Sequence, residues 1–210
     1  MRLAVIGAAG RTGKLVVEQA LDRGFQVRAL ARNPDAIGVQ NPALESVRVD
    51  VRDAEALSSA VAGCDALIST LGAGAARNAT DLYSQGVANE LQAMAANDIK
   101  TLEVVSAAPA GPRDEQPFPA RRIMFPILWR LFGGQYEDMR RMEAILRASS
   151  VDWIALRPPR LVNKPATGAY RTDTKPLSGA RRITYPDLAA ALLDALARDD
   201  LRHRAVYIAN

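Results

Sequence analysis

Three glycines near the beginning of the chain have the type and spacing of a phosphate-binding loop. Gly7, Gly10 and Gly13 follow an apolar run and precede a stretch with helical periodicity. The first glycine of such a loop permits a tight turn, the second lets the backbone approach a diphosphate, and the third allows the helix to pack closely on the strand. Amide groups at the start of the helix then bind the anionic oxygens. The residues expected to contact a dinucleotide diphosphate are Gly7, Ala9, Gly10, Arg11, Thr12 and Gly13. The alternative is a tight turn that binds no ligand.

The charges that follow this loop favour a dinucleotide with an additional phosphate. Sites selective for NAD use an acid about 20 residues after the glycines to bind the ribose 2′-hydroxyl, but no acid occurs between Asp22 and Asp35. Arg28 and Arg32 fall on one face of the second predicted strand. Arg32 and Arg11 are therefore expected to hold the 2′-phosphate of NADP(H) through charge-assisted hydrogen bonds. The alternative is that these arginines are solvated surface residues.

The elements that position these residues alternate along the 210-residue chain. Short β-rich runs predict strands at 2–7, 26–32, 46–50, 66–70, 101–106, 153–157 and 205–209. Longer periodic stretches predict helices at 12–24, 53–62, 81–97, 137–148 and around Leu188, Leu192 and Leu196. Such alternation is typical of βαβ units with a parallel sheet covered on both faces. The sequence therefore predicts a single-domain α/β Rossmann fold over residues 1–210, with a doubly wound parallel sheet and helices on both faces.

Two segments interrupt this alternation and are candidate substrate loops. Both the segment at 107–134 and the segment at 158–176 follow the carboxyl end of a predicted strand, where open α/β sheets bind ligands. Within the first, residues 118–132 (FPARRIMFPILWRLF) are far more apolar than an exposed loop. Pro126 is expected to break any helix there. Four interpretations remain open: a cover over the core, a pocket wall in which Trp129 stacks on a flat acceptor, a dimer interface, or membrane contact.

Composition excludes several other classes of function. The net charge is +4, but the basic residues are interspersed with acids and aromatic residues make up only 5%, which argues against nucleic-acid binding. The chain contains no run approaching the roughly 18 to 20 apolar residues of a membrane span. Cys64 is the only cysteine and His203 the only histidine; we expect the first to be buried, the second to lie at the surface, and no metal site to be present. A cytoplasmic monomer or homodimer with an anionic small-molecule ligand fits these observations.

Further segments carry a family pattern that extends over most of the chain. They are residues 138–147 (DMRRMEAILR), 157–160 (RPPR), 165–170 (PATGAY), 105–107 (VSA) and 30–32 (LAR), in addition to GAAGRTG at 7–13. Together they resemble an atypical group of the short-chain dehydrogenase/reductase superfamily that includes biliverdin-IXβ reductase/flavin reductase. The similarity covers nearly the whole chain except roughly 112–134. It implies NADP(H) as cofactor and a flavin, a bilin or a similar conjugated compound as hydride acceptor.

The resemblance also implies roles for residues at the ends of the central strands. It places Asp50 and Val51 beside adenine, and Thr70, Leu71 and Gly72 beside the ribose or diphosphate. Capping of the next helix is an equally good interpretation of Asp50. Ser106 would contact the nicotinamide or the acceptor, with the capping of a turn as its alternative. Pro159 and Arg160 would line the acceptor site together with Trp129. Arg160 replaces the histidine of the group's Pro-Pro-His segment, which favours an anionic acceptor.

One departure from the superfamily affects the chemistry. Its usual catalytic tyrosine and lysine are spaced YxxxK, whereas Tyr136 is followed four residues later by Arg140. A second register, with Gln135 and Met139, also lacks the lysine. Arginine cannot replace it, because its pKa is too high and its geometry differs. Epimerase or alcohol dehydrogenase chemistry is therefore disfavoured.

Two functions remain compatible with the missing lysine. Reduction of a conjugated acceptor requires mainly that two rings are aligned, with Ser106 and Tyr136 as the candidate catalytic residues. A non-catalytic NADP(H)-binding redox sensor that acts through a partner is the alternative.

Overall fold

Strands and helices alternate along the chain largely as the sequence pattern predicts. The computed structural model describes residues 1–74, 80–115, 122 and 125–210. Its strands are β1 (Arg2–Ile6), β2 (Gln26–Ala31), β3 (Leu44–Arg48), β4 (Ala66–Ser69), β5 (Thr101–Val105), β6 (Asp152–Arg157), β7 (Arg160–Val162), β8 (Arg171–Asp173), β9 (Arg182–Thr184) and β10 (Arg204–Ala209). Its α-helices are α1 (Arg11–Asp22), α2 (Ala54–Val61), α3 (Leu82–Ala96), α4 (Phe125–Ala148) and α5 (Tyr185–Ala195).

Eight of these strands form one sheet in the order β3-β2-β1-β4-β5-β6-β10-β8. Every neighbouring pair in it is parallel except β10 and β8, which are antiparallel. The chain adds β2 and β3 on one side of β1 and then β4 on the other, so the strand order reverses between β1 and β4. The predicted single-domain, doubly wound Rossmann-like fold is confirmed. Ligands bind in such sheets at the carboxyl ends of the strands beside this reversal.

The core lies on both faces of the sheet because the strands alternate their side chains. In β1, Leu3 and Val5 pack toward α1 and α5, whereas Ala4 and Ile6 pack toward α2, α3 and α4. Both faces are thus apolar at the same strand, which is why the short strand runs contain so few polar residues.

Helix α4 is longer than the sequence predicts. It begins at Phe125 rather than near residue 137 and spans 24 residues. The expectation that Pro126 breaks a helix was wrong, because Pro126 lies in the first turn, where its missing N–H has no helical partner to lose. Residues 125–134 of the expected loop at 107–134 are therefore helical. Residues 116–121 and 123–124, which include part of the apolar segment, lie outside the described residues.

The expected loop at 158–176 contains short strands that periodicity cannot reveal. Its β7 pairs in parallel with β9 to form a separate two-stranded sheet, and β8 joins the edge of the main sheet. The buried carboxylate of Asp187, in the first turn of α5, accepts hydrogen bonds from Thr167, Thr184 and Asn210. These bonds tie the loop to α5 and to the end of β10, so the segment is a structured part of the sheet edge.

Three further predictions concern the burial of Cys64, the exposure of His203 and the lack of an apolar run that could span a membrane. Cys64 is buried, and His203 is exposed and stacks edge-on against Trp153, both as predicted. No helix in the described ranges is long and apolar enough to cross a membrane.

Candidate functional site

The N-terminus of α1 is open, whereas other helices of the protein have capped ends. Asp53 caps α2 and Thr184 caps α5 through their side chains, and the buried Asp138 of α4 accepts hydrogen bonds from the backbone amides of Tyr83 and Ser84 at the start of α3. Helix α1 instead follows Gly10, with no side-chain cap and no acid in its first turn.

The geometry of this open end suits an anion. The first amides of a helix have no intrahelical partner, so those of Arg11, Thr12 and Gly13 point toward the crevice at the carboxyl end of β1. Together with the helix dipole they would bind a diphosphate. The residues present therefore fit the diphosphate of a dinucleotide, as the glycine spacing predicts.

Two glycines of this loop have no room for a side chain. A methyl group at Gly13 would lie 2.3 Å from the carbonyl oxygen of Gly7 and 2.8 Å from Oγ1 of Thr70. Gly7 also has a φ of 76°, a conformation that favours glycine. The Thr70 hydroxyl donates to the carbonyl oxygen of Ile6 at 2.8 Å. Thr70, at the end of β4, thus braces the glycine loop from behind, a role that the sequence did not indicate.

The residues expected to border adenine follow the carboxyl end of β3, and those expected to border the ribose or diphosphate follow the carboxyl end of β4. Asp50 is exposed, and its carboxylate accepts a hydrogen bond from the amide of Arg52 at 3.1 Å. Of its two interpretations, the helix cap is wrong, because Asp53 caps α2 by accepting from the amide of Ala56. Asp50 is therefore available to a ligand beside the carboxyl end of β3.

Val51 and Leu71, which follow Asp50 and Thr70 in the chain, pack closely against α3. A methyl group at Gly86 of α3 would lie 2.6 Å from the Leu71 side chain and 3.4 Å from that of Val51. Val51 is buried, Leu71 is partly buried and Gly72 is exposed at the crevice. The structure thus places Val51 and Leu71 side by side beneath α3; their contacts with adenine and with the ribose or diphosphate stay a prediction.

The three arginines expected near a 2′-phosphate occupy different environments. Arg28 donates to the Glu45 carboxylate at 2.8 Å and also to backbone carbonyls of α2, so it is a structural residue. Arg32 is exposed just beyond β2. The Arg11 guanidinium lies 5.9 Å from the ring centroid of Tyr185, the first residue of α5. Arg48, which the sequence analysis did not identify, donates from Nη1 to the carbonyl oxygen of Arg32 at 2.9 Å.

Tyr136 lies half-buried on α4 among other aromatic rings. Its centroid is 5.8 Å from that of Trp129 and 6.3 Å from that of Phe132. Burial raises the pKa of the Tyr136 phenol, and the nearby Tyr83 raises it further. The hydroxyl therefore stays protonated near neutral pH and is suited to donate a hydrogen bond rather than to lose its proton.

Arg140, four residues after Tyr136, does not act as a substitute for the missing lysine. It donates to the carbonyl oxygens of Ala110 and Gly111 at 3.0 and 3.1 Å. Its guanidinium also lies 4.5 Å from the ring centroid of Trp129. One face of Trp129 is thus already covered, and Arg140 fastens α4 to the turn that follows β5.

Ser106 is buried rather than open to the crevice. It is 2% exposed, and its hydroxyl donates to the carboxylate of Glu143 at 2.8 Å. Arg157, at the end of β6, donates to the same carboxylate from Nε at 2.9 Å. This buried network was missed at the sequence level, because nothing in the spacing of residues 106, 143 and 157 indicates that they meet. It favours a positioning role for Ser106.

The remaining predicted acceptor residues lie beyond β6. Pro159 is partly buried, and Arg160 is exposed at the start of β7. Arg160 and Arg182 are direct partners in the parallel pairing of β7 with β9. The alternate residues Leu161 and Ile183 pack into the core, so the two arginines share the outer face.

Comparisons with known proteins agree with this geometry. A family described as NAD(P)H-binding matches residues 7–199. An uncharacterised chloroplastic protein of Arabidopsis thaliana is 25% identical, over 99% of this chain and 76% of its own length. A protein of Bacillus subtilis named an uncharacterised sugar epimerase is 26% identical, over 98% of this chain and 92% of its own length.

Solved structures share the fold over the whole chain. An oxidoreductase of Lactococcus lactis has a TM-score of 0.83 at 20% identity, covering 100% of this chain and 91% of its own. A candidate NADH-flavin reductase of Streptococcus pneumoniae has a TM-score of 0.81 at 23% identity, covering 100% and 99%. A short-chain dehydrogenase/reductase of Veillonella parvula in complex with NADP has a TM-score of 0.79 at 16% identity, covering 100% and 94%. With its glycine loop, open helix end and family match over nearly all its length, the chain belongs to the NAD(P)H-binding family.

Proposed function

We propose that the protein is an NADPH-dependent reductase that transfers hydride to a conjugated, anionic acceptor such as a flavin or a bilin. The observation that carries this proposal is a contrast within one site. The open end of α1 would bind a dinucleotide, but Arg140, the cation one turn after Tyr136, is bound to the carbonyl oxygens of Ala110 and Gly111 and so would not make Tyr136 a proton relay.

The open end of α1 supports the cofactor half of the proposal. The first-turn amides of α1 would hold the diphosphate, and Arg32 at the end of β2 would bind a 2′-phosphate. Bound there, NADPH supplies the hydride. The absence of an acid at the end of β2 favours the phosphorylated dinucleotide over NADH, since that acid would otherwise bind the 2′-hydroxyl.

The environment of Tyr136 supports the reaction type. Redox chemistry on alcohols or sugars needs a general acid or base of suitable pKa, but burial raises the pKa of Tyr136 and Arg140 is bound to loop carbonyls. Tyr136 would instead donate a hydrogen bond that orients the acceptor. A conjugated acceptor can take its final proton from solvent, so the protein mainly aligns two rings.

The outer face of the β7–β9 sheet supports an anionic acceptor. Arg160 and Arg182 are neighbours there, although like charges opposite each other destabilise a sheet. An anionic group would relieve this repulsion. Pro159 and the aromatic residues of α4 would provide the apolar part of the same pocket.

The test is anaerobic oxidation of NADPH by the purified protein with riboflavin, FMN, a bilin or a quinone as acceptor. We expect turnover with at least one of them. Gly13→Ala is the matched control, because its added methyl group collides with the Gly7 carbonyl and should abolish cofactor binding. Circular dichroism shows whether that variant folds. Tight NADPH binding without turnover of any acceptor would contradict the reductase and favour a redox sensor that acts through a partner.

A further inference from the structure

The end of β2 carries a second arginine that is held in place by the backbone. Arg48, the last residue of β3, pairs in register with Ala31 of β2. Its Nη1 donates to the carbonyl oxygen of Arg32 at 2.9 Å. Arg48 is therefore anchored beside Arg32 by one of the five N–H groups of its guanidinium, and the others are left for a ligand.

Acids do not neutralise this arginine pair. Over residues 1–74, 80–115, 122 and 125–210, no carboxylate forms an ion pair with Arg32 or Arg48. Arg28, within β2 and four residues before Arg32, differs because its guanidinium donates to Glu45 and to two backbone carbonyls. Both residues are exposed, and the Arg48 guanidinium lies against the backbone of Arg32, so a doubly charged anion at this point could accept hydrogen bonds from both side chains.

Arg11, the other arginine expected at this site, points elsewhere. Helix α1 packs over β1 and β2, whereas α5 packs against β5 and β9 on the other side of β1. The Arg11 guanidinium lies beside Tyr185 at the start of α5. It therefore leans away from the end of β2.

We propose that Arg48 and Arg32 together recognise the 2′-phosphate of NADP(H), and that Arg11 lies outside this site. The inference rests on the proposed function, because it requires that the protein prefers the phosphorylated dinucleotide. Planar guanidinium groups suit this role, since each can donate two parallel hydrogen bonds to phosphate oxygens. The 2′-phosphate of a dinucleotide held at α1 would lie over the end of β2.

The test measures binding, independently of turnover, by calorimetric titration with 2′,5′-ADP and 5′-AMP, which differ only in the 2′-phosphate. We expect Arg48→Gln and Arg32→Gln each to weaken 2′,5′-ADP binding by about ten- to a hundredfold, the loss of one or two charge-assisted hydrogen bonds. Binding of 5′-AMP should change less than about twofold, since that ligand lacks the group the arginines contact. Arg11→Gln should leave the ratio of the two affinities unchanged. Arg204→Gln is the matched control, because it removes the same charge from the exposed start of β10, at the opposite edge of the sheet.

The outcomes separate this inference from the proposed cofactor preference. If the parent protein binds the two nucleotides equally, the NADP(H) preference is wrong and the arginine site is overturned with it. If the parent prefers 2′,5′-ADP and Arg48→Gln retains that preference, only the assignment of Arg48 is overturned. A loss of preference in Arg11→Gln would return the site to the pair expected from the sequence.

Discussion

Ser106 and Glu143 are joined by a buried hydrogen bond of 2.8 Å that links the end of β5 to the middle of α4. Arg157 binds the same carboxylate from the end of β6, so one side chain of α4 holds two strands of the sheet. Tyr136 lies seven residues before Glu143, on the same face of the helix. The network therefore fixes the rotation of α4 and with it the direction in which Tyr136 projects from the helix.

Ser106→Ala tests whether this serine positions α4 or contacts the ligands. Removing a hydrogen bond to a buried carboxylate should lower the free energy of unfolding by about 1.5–3 kcal/mol. NADPH affinity should stay within about twofold of the parent, because the hydroxyl faces Glu143 rather than the crevice. Chemical denaturation and NADPH titration measure the two effects, with the exposed Ser59→Ala as control. Unchanged stability combined with a hundredfold slower reduction would show that Ser106 contacts the nicotinamide or the acceptor.

Tyr136→Phe tests whether the reaction needs a protein acid. With its pKa raised by burial, the phenol is expected only to donate a hydrogen bond, so acceptor reduction should remain within a few-fold of the parent rate. General acid catalysis typically contributes about 10²–10⁴-fold. Single-turnover measurement with saturating NADPH gives the rate directly. A loss in that range with both affinities intact would make Tyr136 the proton donor.

Glu90 should make the stability of the protein depend on pH. Its carboxyl group is fully buried, and burial raises its pKa to about 7 despite a hydrogen bond from the Ser69 hydroxyl. As the pH rises, a glutamate in the unfolded chain loses its proton near its ordinary pKa of about 4.3, whereas Glu90 in the native state keeps its proton until about pH 7. The contribution of the protonated Glu90 carboxyl group to the free energy of unfolding is full below about pH 4 and is lost as the pH rises through about 7. We expect the free energy of unfolding to fall by a few kcal/mol over this range.

Glu90→Gln isolates that contribution. The neutral amide keeps an acceptor for Ser69, so the pH profile of the variant should be flatter between about pH 5 and 8 than that of the parent. Exposed Glu18→Gln serves as the control for removing one acid. Glu103 is a second buried carboxylate, bound to Arg202, and burial raises its pKa as well. The effect of Glu90 is therefore the difference between the pH profiles of the variant and the parent. Parallel profiles of Glu90→Gln and the parent would show that Glu90 is ionised in the native state.

The features that the sequence predicts well are those set by local physics. The glycine loop depends on turn geometry within seven residues, and the alternation of the central strands and helices follows from which side chains are apolar. Gly13 illustrates this, because its close contact with Gly7 is implied by the spacing itself.

The features that it does not predict depend on contacts between distant residues. Asp138 caps α3 across 55 positions of the sequence, and Glu143 meets Ser106 across 37. Arg11 and Arg32 were expected to act together because one lies inside the glycine loop and the other at the end of the second strand, but the Arg11 guanidinium lies 5.9 Å from the ring centroid of Tyr185 in α5. Strands β7 and β9 have only three residues each, too few for any periodicity to appear.

Trp129→Ala tests the part of α4 that the sequence could not place. The indole lies against Gly133, one turn later on the helix, at 3.2 Å from the position of an added methyl group there, and its face is covered by Arg140. Its loss should uncover the Arg140 guanidinium, which remains bound to the carbonyl oxygens of Ala110 and Gly111, and remove a ring beside Tyr136. Acceptor affinity should therefore fall several-fold while NADPH affinity stays unchanged, since α4 and the helix that follows the glycine loop pack on opposite faces of the sheet.

Two variants make the Trp129 result specific. Trp129→Phe keeps a ring under the guanidinium and should retain most of the acceptor affinity, because a cation–π contact contributes only about 0.5–1 kcal/mol at such a site. Leu131→Ala removes an apolar side chain that is 41% exposed on the same helix and should leave both affinities unchanged. Titrating both ligands against each variant, alongside thermal unfolding, gives the answer. A lower melting temperature of Trp129→Ala with both affinities preserved would mean that the start of α4 covers the core and takes no part in binding the acceptor.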